Sequence, residues 1–159
     1  MIDDSLLGKK AEDKIKRWLD RPDLDWSFDR IPDQMTGKYG SKNICDFTFF
    51  NGKTLYYIES KATWDDRFNF SMLTETQQDG LLRKSKISHV RGVVIVLFAS
   101  YQRAFIIDIT EIKRLEDEDK HSLNIKKIDK WPIAYQEIET IPSRKELLDY
   151  AGEITERGA

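Results

Sequence analysis

The sequence has few of the residues that stabilise disulfide-rich, zinc-binding or membrane proteins. Cys45 is its one cysteine, so an intramolecular disulfide is excluded, and with only two histidines a structural zinc site is disfavoured. No apolar run approaches the length of a membrane span, and no N-terminal segment resembles a signal peptide. We therefore expect a cytoplasmic protein without membrane contact, folded as one domain over residues 1–159.

Neither sign of charge is in large excess. The chain has 26 basic and 28 acidic residues and a formal net charge of −2, which argues against a uniformly basic surface for nucleic acid. The basic residues are nevertheless grouped, early in the chain and again in its middle. Candidate DNA contacts in these two groups are Lys9, Lys10, Arg83 and Lys84. The simpler explanation of each group is a solvated helix face.

The spacing of apolar residues predicts helices over residues 5–20 and about 73–85, a helix from Thr110 to about Glu118, and a final helix that starts near Ser143. Strands are predicted in "DWSFDRI", "ICDFTFF", "TLYYIESK", "GVVIVLFAS" and "AFIIDI". The order is one helix, three strands, one helix, two strands and two helices. It predicts an α/β fold with a mixed central β-sheet flanked by helices.

The segment "ICDFTFFNGKTLYYIESKA" predicts a β-hairpin, because Asn51-Gly52 is a strong signal for a two-residue turn. With that turn, Phe50 pairs with Lys53, and Asp46 falls opposite Tyr57. Side chains alternate between the two faces of a strand, so the residues two and four positions after Tyr57 lie on the same face as Asp46.

Asp46, Glu59 and Lys61 are therefore expected on one face of the hairpin, with the two carboxylates as diagonal neighbours. Carboxylates this close repel each other unless a cation joins them. Magnesium would resolve the repulsion and supply water for phosphodiester hydrolysis, with the lysine orienting that water or neutralising developing charge. The alternative is a structural ion cluster in which Lys61 pairs with both carboxylates.

The spacing of these three residues resembles that of the PD-(D/E)xK nuclease superfamily, and the wider pattern resembles RecU-type Holliday-junction resolvases. The resemblance extends over most of residues 8–155. Five segments carry it: "GKKAEDKI", "CDFTFFNGKTLYYIESKAT", "FNFSMLTETQ", "GVVIVLF" and "IPSRKELLDYAGEI". It implies a restriction-endonuclease-like core in which Asp46 and Glu59 bind Mg²⁺, with Mn²⁺ as a possible substitute and no organic cofactor. Lys61 would stabilise the transition state or position the attacking water.

The resemblance also assigns two residues outside the hairpin. Gln77 would face the site from its helix as a further catalytic and metal-binding residue, with Gln78 as the alternative. Glu12 would be the acidic residue that the family has in its first helix. Its alternative is a surface ion pair with Lys16, one helical turn away.

The implied activity is cleavage of branched double-stranded DNA, the four-way junction, by a magnesium-dependent homodimer, because paired symmetric nicks need two active sites. Trp64, Phe68 and Phe70 are interface candidates, with core packing as the alternative. Two other functions remain open. One is a restriction- or repair-type nuclease that acts on ordinary duplex DNA, and the other is a DNA-binding protein of the same fold that does not cleave.

The sequence departs from the family in two places. Ile44 occupies the position of a threonine that contacts the metal, and its side chain offers no oxygen. A short flexible loop at about residues 33–43 replaces the long stalk of the family. This loop still contains Lys38, Tyr39 and Lys42, a lysine–aromatic–lysine pattern suited to phosphate contact and base stacking.

Overall fold

The computed structural model describes residues 4–32 and 43–138. The α-helices in these ranges are α1 (Asp4–Leu19), α2 (Glu75–Ser85) and α3 (Ile109–Asp117). The strands are β1 (Ser27–Arg30), β2 (Phe47–Phe50), β3 (Leu55–Thr63), β4 (Arg67–Asn69), β5 (Val90–Phe98), β6 (Arg103–Asp108), β7 (Ser122–Asn124) and β8 (Tyr135–Ile138). Short 3₁₀ segments occupy Pro22–Leu24, Phe70–Met72, Ala99–Tyr101 and Ile125–Lys130.

Six of the strands form one sheet in the order β1-β2-β3-β5-β6-β8, and β4 pairs with β7 in a separate two-stranded sheet. Only the β3–β5 pairing in the large sheet is parallel, and its other pairings are antiparallel. The predicted α/β class with a mixed central sheet is therefore confirmed. The prediction missed β4, β7 and β8, which are only three or four residues long and too short for a periodic pattern.

The sheet is covered on both faces, which explains why β5 is apolar along nearly its whole length. Val93 and Ile95 point into the core beneath α1, whereas Val94 and Val96 point into the core beneath α2 and α3. α1 presents a stripe of buried residues to the first core: Leu7, Ala11, Ile15, Trp18 and Leu19. The result is three layers, with α1 on one side of the sheet and α2 and α3 on the other.

The turn between β2 and β3 differs from the prediction. Phe50 pairs with Leu55 rather than with Lys53, so the loop has four residues instead of two. The Asn51 side chain determines this geometry, because its Oδ1 accepts hydrogen bonds from the backbone N–H groups of Lys53 and Thr54, at 2.9 and 2.8 Å. The register is thereby shifted by two residues, and a shift of two leaves every side chain on its predicted face.

Two predicted elements lie outside the described residues, apart from Asn43. They are the loop at about residues 33–43, with Lys38, Tyr39 and Lys42, and the final helix that starts near Ser143.

The aromatic interface candidates pack inside the protein. Phe68 and Phe70 are buried in the core beneath α2 and α3, and Trp64 is half-buried against the core beneath α1. Core packing is therefore the correct alternative for the two phenylalanines. None of the described helices is long and apolar enough to cross a membrane.

Candidate active site

Asp46 and Glu59 lie beside each other at the point where β2 begins. The Asp46 N–H donates to the carbonyl of Ile58 at 2.9 Å, and its carboxylate is close enough to Glu59 to raise the pKa of that group. The structure thus brings together the two carboxylates that the hairpin pattern grouped, although the paired residues of the hairpin are shifted by two from the prediction. The backbone N–H of Ser60 donates to Oδ2 of Asp46 at 2.9 Å and so holds this carboxylate against β3.

Glu59 is buried, with only 3% of its surface exposed. Its Oε2 accepts a hydrogen bond from Nε2 of Gln77 at 2.9 Å and lies 3.2 Å from the ammonium of Lys61. Its Oε1 is buried and has no hydrogen-bond partner among the described residues. One carboxylate oxygen is thus fixed by two donors, while the other is withdrawn from water with nothing to bind.

The electrostatics of the pair favour a bound cation. Burial, and then the adjacent Asp46 carboxylate, raise the pKa of Glu59 to about 8 against the opposing effect of Lys61. Without a cation the pair therefore retains a proton near neutral pH. The buried Cys45 thiol lies close by, and burial together with the charge of Glu59 raises its pKa to about 12, so it stays neutral.

Gln77 reaches the site from the first turn of α2. Thr74 accepts from the N–H of Gln77 at 3.1 Å, and its own N–H donates to Oε1 of Gln77 at 3.0 Å, which completes a capping box. The remaining amide nitrogen is directed at Glu59. Gln78 instead donates to Glu116 of α3 at 2.8 Å, so the structure brings Gln77 and not Gln78 to the carboxylates.

Glu12 lies on the other side of the sheet. Its Oε1 is 3.4 Å from the guanidinium of Arg30 on β1, and α1 covers the sheet face opposite Glu59. Lys16, predicted as the alternative ion-pair partner, is exposed. The catalytic assignment of Glu12 stays a prediction, and the ion pair with Arg30 is a structural reason for an acidic residue at this position.

The candidate DNA contacts are spread over two sides of the protein. Lys9 and Lys10 are exposed on α1, and Arg83 is exposed on α2. Lys84 lies over the ring of Tyr57, with 5.1 Å between its ammonium and the ring centroid. Because α2 also carries Gln77, Arg83 and Lys84 belong to the helix that borders the carboxylates, whereas Lys9 and Lys10 do not.

Ile44 does not take over the role of the family threonine. Its side chain is half-buried and packs beneath α2, where a methyl group added to Gly80 would overlap it. It therefore contributes packing and no oxygen. The glycine allows α2 to approach this segment closely, and α2 carries the glutamine that contacts Glu59.

The residues present fit a hard divalent cation. The adjacent carboxylates of Asp46 and Glu59 would be its protein ligands, and among the described residues no group of three or more His, Cys, Asp or Glu could hold a metal. Two carboxylates suffice for magnesium, which keeps several of its waters. The buried and unpartnered Oε1 of Glu59 is the direct observation in favour of a ligand at this point.

The sequence interpretation missed two contributions. The Ser60 N–H that holds Asp46 is a backbone group and leaves no trace in the sequence. Thr74, in contrast, could have been found, because Thr74 followed by a glutamine at the third position is the pattern of a capping box.

Comparison of the sequence with protein-family models and with curated proteins gives no match. The structure matches 17 chains of solved structures. One of them is Hjc from Archaeoglobus fulgidus, a Holliday junction resolvase from an archaeal hyperthermophile. The TM-score is 0.53 and the sequence identity 14%, over 75% of this chain and 89% of that chain. At this identity the match shows the fold, and it agrees with the restriction-endonuclease-like core expected from the sequence.

Proposed function

We propose that this protein is a metal-dependent endodeoxyribonuclease that resolves four-way DNA junctions by phosphodiester hydrolysis. The observation that carries the proposal is the grouping of Asp46 and Lys61 around the buried Glu59 carboxylate, whose Oε1 accepts no hydrogen bond from the described residues. The fold shared with the resolvase Hjc supports the choice of substrate. The proposal goes beyond the fold, because the same fold can carry several activities.

In the proposed mechanism Asp46 and Glu59 would hold Mg²⁺, or Mn²⁺ in its place. The chemistry supplied by such an ion would be Lewis-acid activation of the scissile phosphate and of a water nucleophile. Lys61 adds a positive charge 3.2 Å from Glu59, where it can orient that water or stabilise the negative charge that develops on the phosphate. Gln77 keeps Oε2 of Glu59 in place, and the other oxygen of this carboxylate would be available to a cation.

We further propose that the protein acts as a homodimer. A four-way junction is resolved by two symmetric nicks, and two copies related by a twofold axis supply two active sites in the required arrangement. Sedimentation equilibrium should give twice the monomer mass. A monomer that stays monomeric on junction DNA would contradict this part of the proposal.

The activity is tested with an end-labelled four-way junction, the matching linear duplex and the matching single strand, each with Mg²⁺, with Mn²⁺ and with EDTA. The proposal predicts symmetric nicks in the junction only, and only with metal. Equal cleavage of the duplex would indicate a restriction- or repair-type nuclease instead. Binding without cleavage in any metal would indicate a DNA-binding protein that has kept the fold.

The site is tested with Asp46→Asn, which removes one ligand charge without changing the size of the side chain. We expect the rate of cleavage to fall by at least about a hundredfold while junction affinity in EDTA changes little. Asp29→Asn is a matched control, because Asp29 is an exposed acid on β1. Equal activity of Asp46→Asn and Asp29→Asn would refute the site assignment.

A further inference from the structure

A cavity of about 320 Å³ lies beside the two-stranded sheet, away from every residue assigned to the candidate active site. It is open to solvent and is bordered by β4, β7, the end of α3 and the 3₁₀ segment Ile125–Lys130. Pockets that bind small organic ligands start at about this volume. The cavity is therefore large enough for a ligand the size of one nucleotide.

Its rim is strongly basic. No acidic residue of the described ranges lines the cavity. Four cationic side chains line it: Arg67, Lys120, Lys127 and Lys130. All four are exposed, and none takes part in an ion pair within the described residues. The neighbouring Lys126, in contrast, pairs with Asp66 at 3.1 Å. Four cationic side chains around one cavity favour an anionic ligand, although Arg67 also interacts electrostatically with Asp66.

Its floor is apolar and partly aromatic. Leu115, Leu123 and Trp131 line the cavity and are all buried. Nε1 of Trp131 already donates to the carbonyl of Asn124 at 2.9 Å, so the indole has no further donor for a ligand. A ligand that combines an anionic group with a flat apolar part would satisfy both the rim and the floor. A nucleotide has this combination.

The cavity lies on the same side of the large sheet as the candidate active site. Lys61, Val96 and Phe105 are neighbours across β3, β5 and β6 and therefore share that face. Trp131 packs on Phe105, with 5.3 Å between the ring centroids. Two strand spacings, about 10 Å, separate β3 from β6, the strand on which Trp131 packs. A DNA strand covers this distance in a few nucleotides.

We propose that this cavity binds one nucleotide of the DNA strand a few positions from the scissile phosphate. The cations at its rim contact the phosphate, and the apolar floor contacts the sugar or base. This inference rests on the proposed function only in taking DNA as the substrate. It adds a contact that neither the candidate active site nor the candidate DNA contacts on α1 and α2 include.

The test uses the double variant Lys127→Ala/Lys130→Ala and junction DNA in EDTA, with affinity measured by fluorescence anisotropy at several salt concentrations. Because both lysines are exposed, the thermal unfolding of the variant should match that of the wild type. We expect affinity to fall roughly tenfold or more. We also expect the slope of log affinity against log salt to decrease by about 1 for each phosphate that the variant no longer neutralises.

Two controls make the result specific. Replacing both lysines by arginine should restore affinity, since arginine also binds phosphate. Lys53→Ala removes one charge from the exposed β2–β3 turn and should change affinity by less than about twofold. Unchanged affinity and slope in the double alanine variant would overturn the proposal. An equal loss in Lys53→Ala would do the same, because net charge alone would then explain the effect.

A further arm distinguishes a free nucleotide from a nucleotide within a strand. In a calorimetric titration, a deoxynucleoside monophosphate should not bind with the affinity that junction DNA has for the protein. If it binds the wild type but not the double variant, while junction affinity is equal in both, the assignment to DNA is overturned.

The proposed nucleotide contact at the cavity and the proposed nuclease activity can be refuted independently of each other. Metal-dependent junction cleavage with full junction affinity in the double variant would refute only the cavity. Junction binding that depends on Lys127 and Lys130, without cleavage in any metal, would refute only the nuclease activity.

Discussion

Replacement of Glu59 by glutamine should change how the stability of the metal-free protein depends on pH. In the folded protein burial, and then the charge of Asp46, raise the pKa of Glu59 from 4.5 to about 8. In the unfolded chain the same carboxyl group is in water and titrates near its ordinary value. Glu59→Gln keeps the shape and one acceptor oxygen of the side chain but cannot ionise. The difference between the two proteins therefore isolates this one titration.

The sign and size follow from linkage between proton binding and folding. Between pH 4.5 and pH 8 the folded state keeps the Glu59 proton and the unfolded state loses it, so the free energy of unfolding decreases as pH rises. Each pH unit within this window contributes about 1.4 kcal/mol. Integrated from about pH 5 to pH 8, the expected loss is roughly 3–4 kcal/mol. That is a large share of the 5–15 kcal/mol that typically stabilises a folded domain.

Urea denaturation in EDTA at pH 5, 6, 7 and 8 measures this loss for the wild type and for Glu59→Gln. We expect the wild type to lose stability relative to the variant as pH rises. Asp108 has a pKa raised by burial and produces a loss of the same sign, but it is present in both proteins and cancels. Added Mg²⁺ should stabilise the wild type more at pH 8 than at pH 6, because it binds the ionised carboxylate, and should affect Glu59→Gln much less.

Two results would refute this reasoning. Parallel stability profiles for the two proteins in EDTA would mean that Glu59 titrates in the folded state as it does in water. A wild type that gains stability over the variant as pH rises would mean that Lys61 and Gln77 hold the carboxylate ionised. In that second case the Lys61 ion pair would dominate over burial, and a structural ion cluster would be the better description of the site.

Four further substitutions test the site and its surroundings. Gly92→Ala should destabilise the protein by about 1–3 kcal/mol in urea denaturation, because the added methyl group would meet the backbone oxygen of Leu81 at 2.6 Å. Gln77→Ala should reduce cleavage by roughly 10- to 100-fold, whereas Gln78→Ala, which removes a hydrogen bond to α3, should leave the rate unchanged. Lys61→Met should lower kcat by at least about a hundredfold without weakening junction binding, and an unchanged kcat would exclude Lys61 from the chemistry.

The faces of the hairpin could be predicted from the sequence, although its turn could not. The Asn-Gly pair correctly marked a reversal of the chain, but Asn51 accepts hydrogen bonds from two backbone N–H groups and makes a four-residue loop. Since strand faces repeat every two residues, the resulting shift of two leaves Glu59 and Lys61 on one face, as predicted. Asp46 precedes the paired residues of β2, and its closeness to Glu59 depends on a bend of the chain that the hairpin pattern does not specify.

The contacts between distant elements could not be predicted. The ion pair of Glu12 with Arg30 joins α1 to β1, and nothing in the spacing of either segment indicates the other as its partner. The pairing of β4 with β7 could not be predicted either, because two three-residue strands carry no periodic signal. The basic cavity depends on this sheet, so its cations appear in the sequence only as scattered lysines and an arginine.

Gln77 explains why local structure and site geometry are coupled in this fold. Its Oε1 accepts from the Thr74 N–H and caps α2, which leaves its Nε2 as the donor to Glu59. The direction of the Glu59 carboxylate therefore depends on where α2 begins, and α2 is held against the sheet by the close approach of Leu81 to Gly92. A methyl group at position 92 should then not only reduce stability but also move Gln77 away from Glu59. Gly92→Ala should for this reason lower cleavage at temperatures where the protein remains folded, whereas a loss of stability without a loss of rate would show that the two are independent.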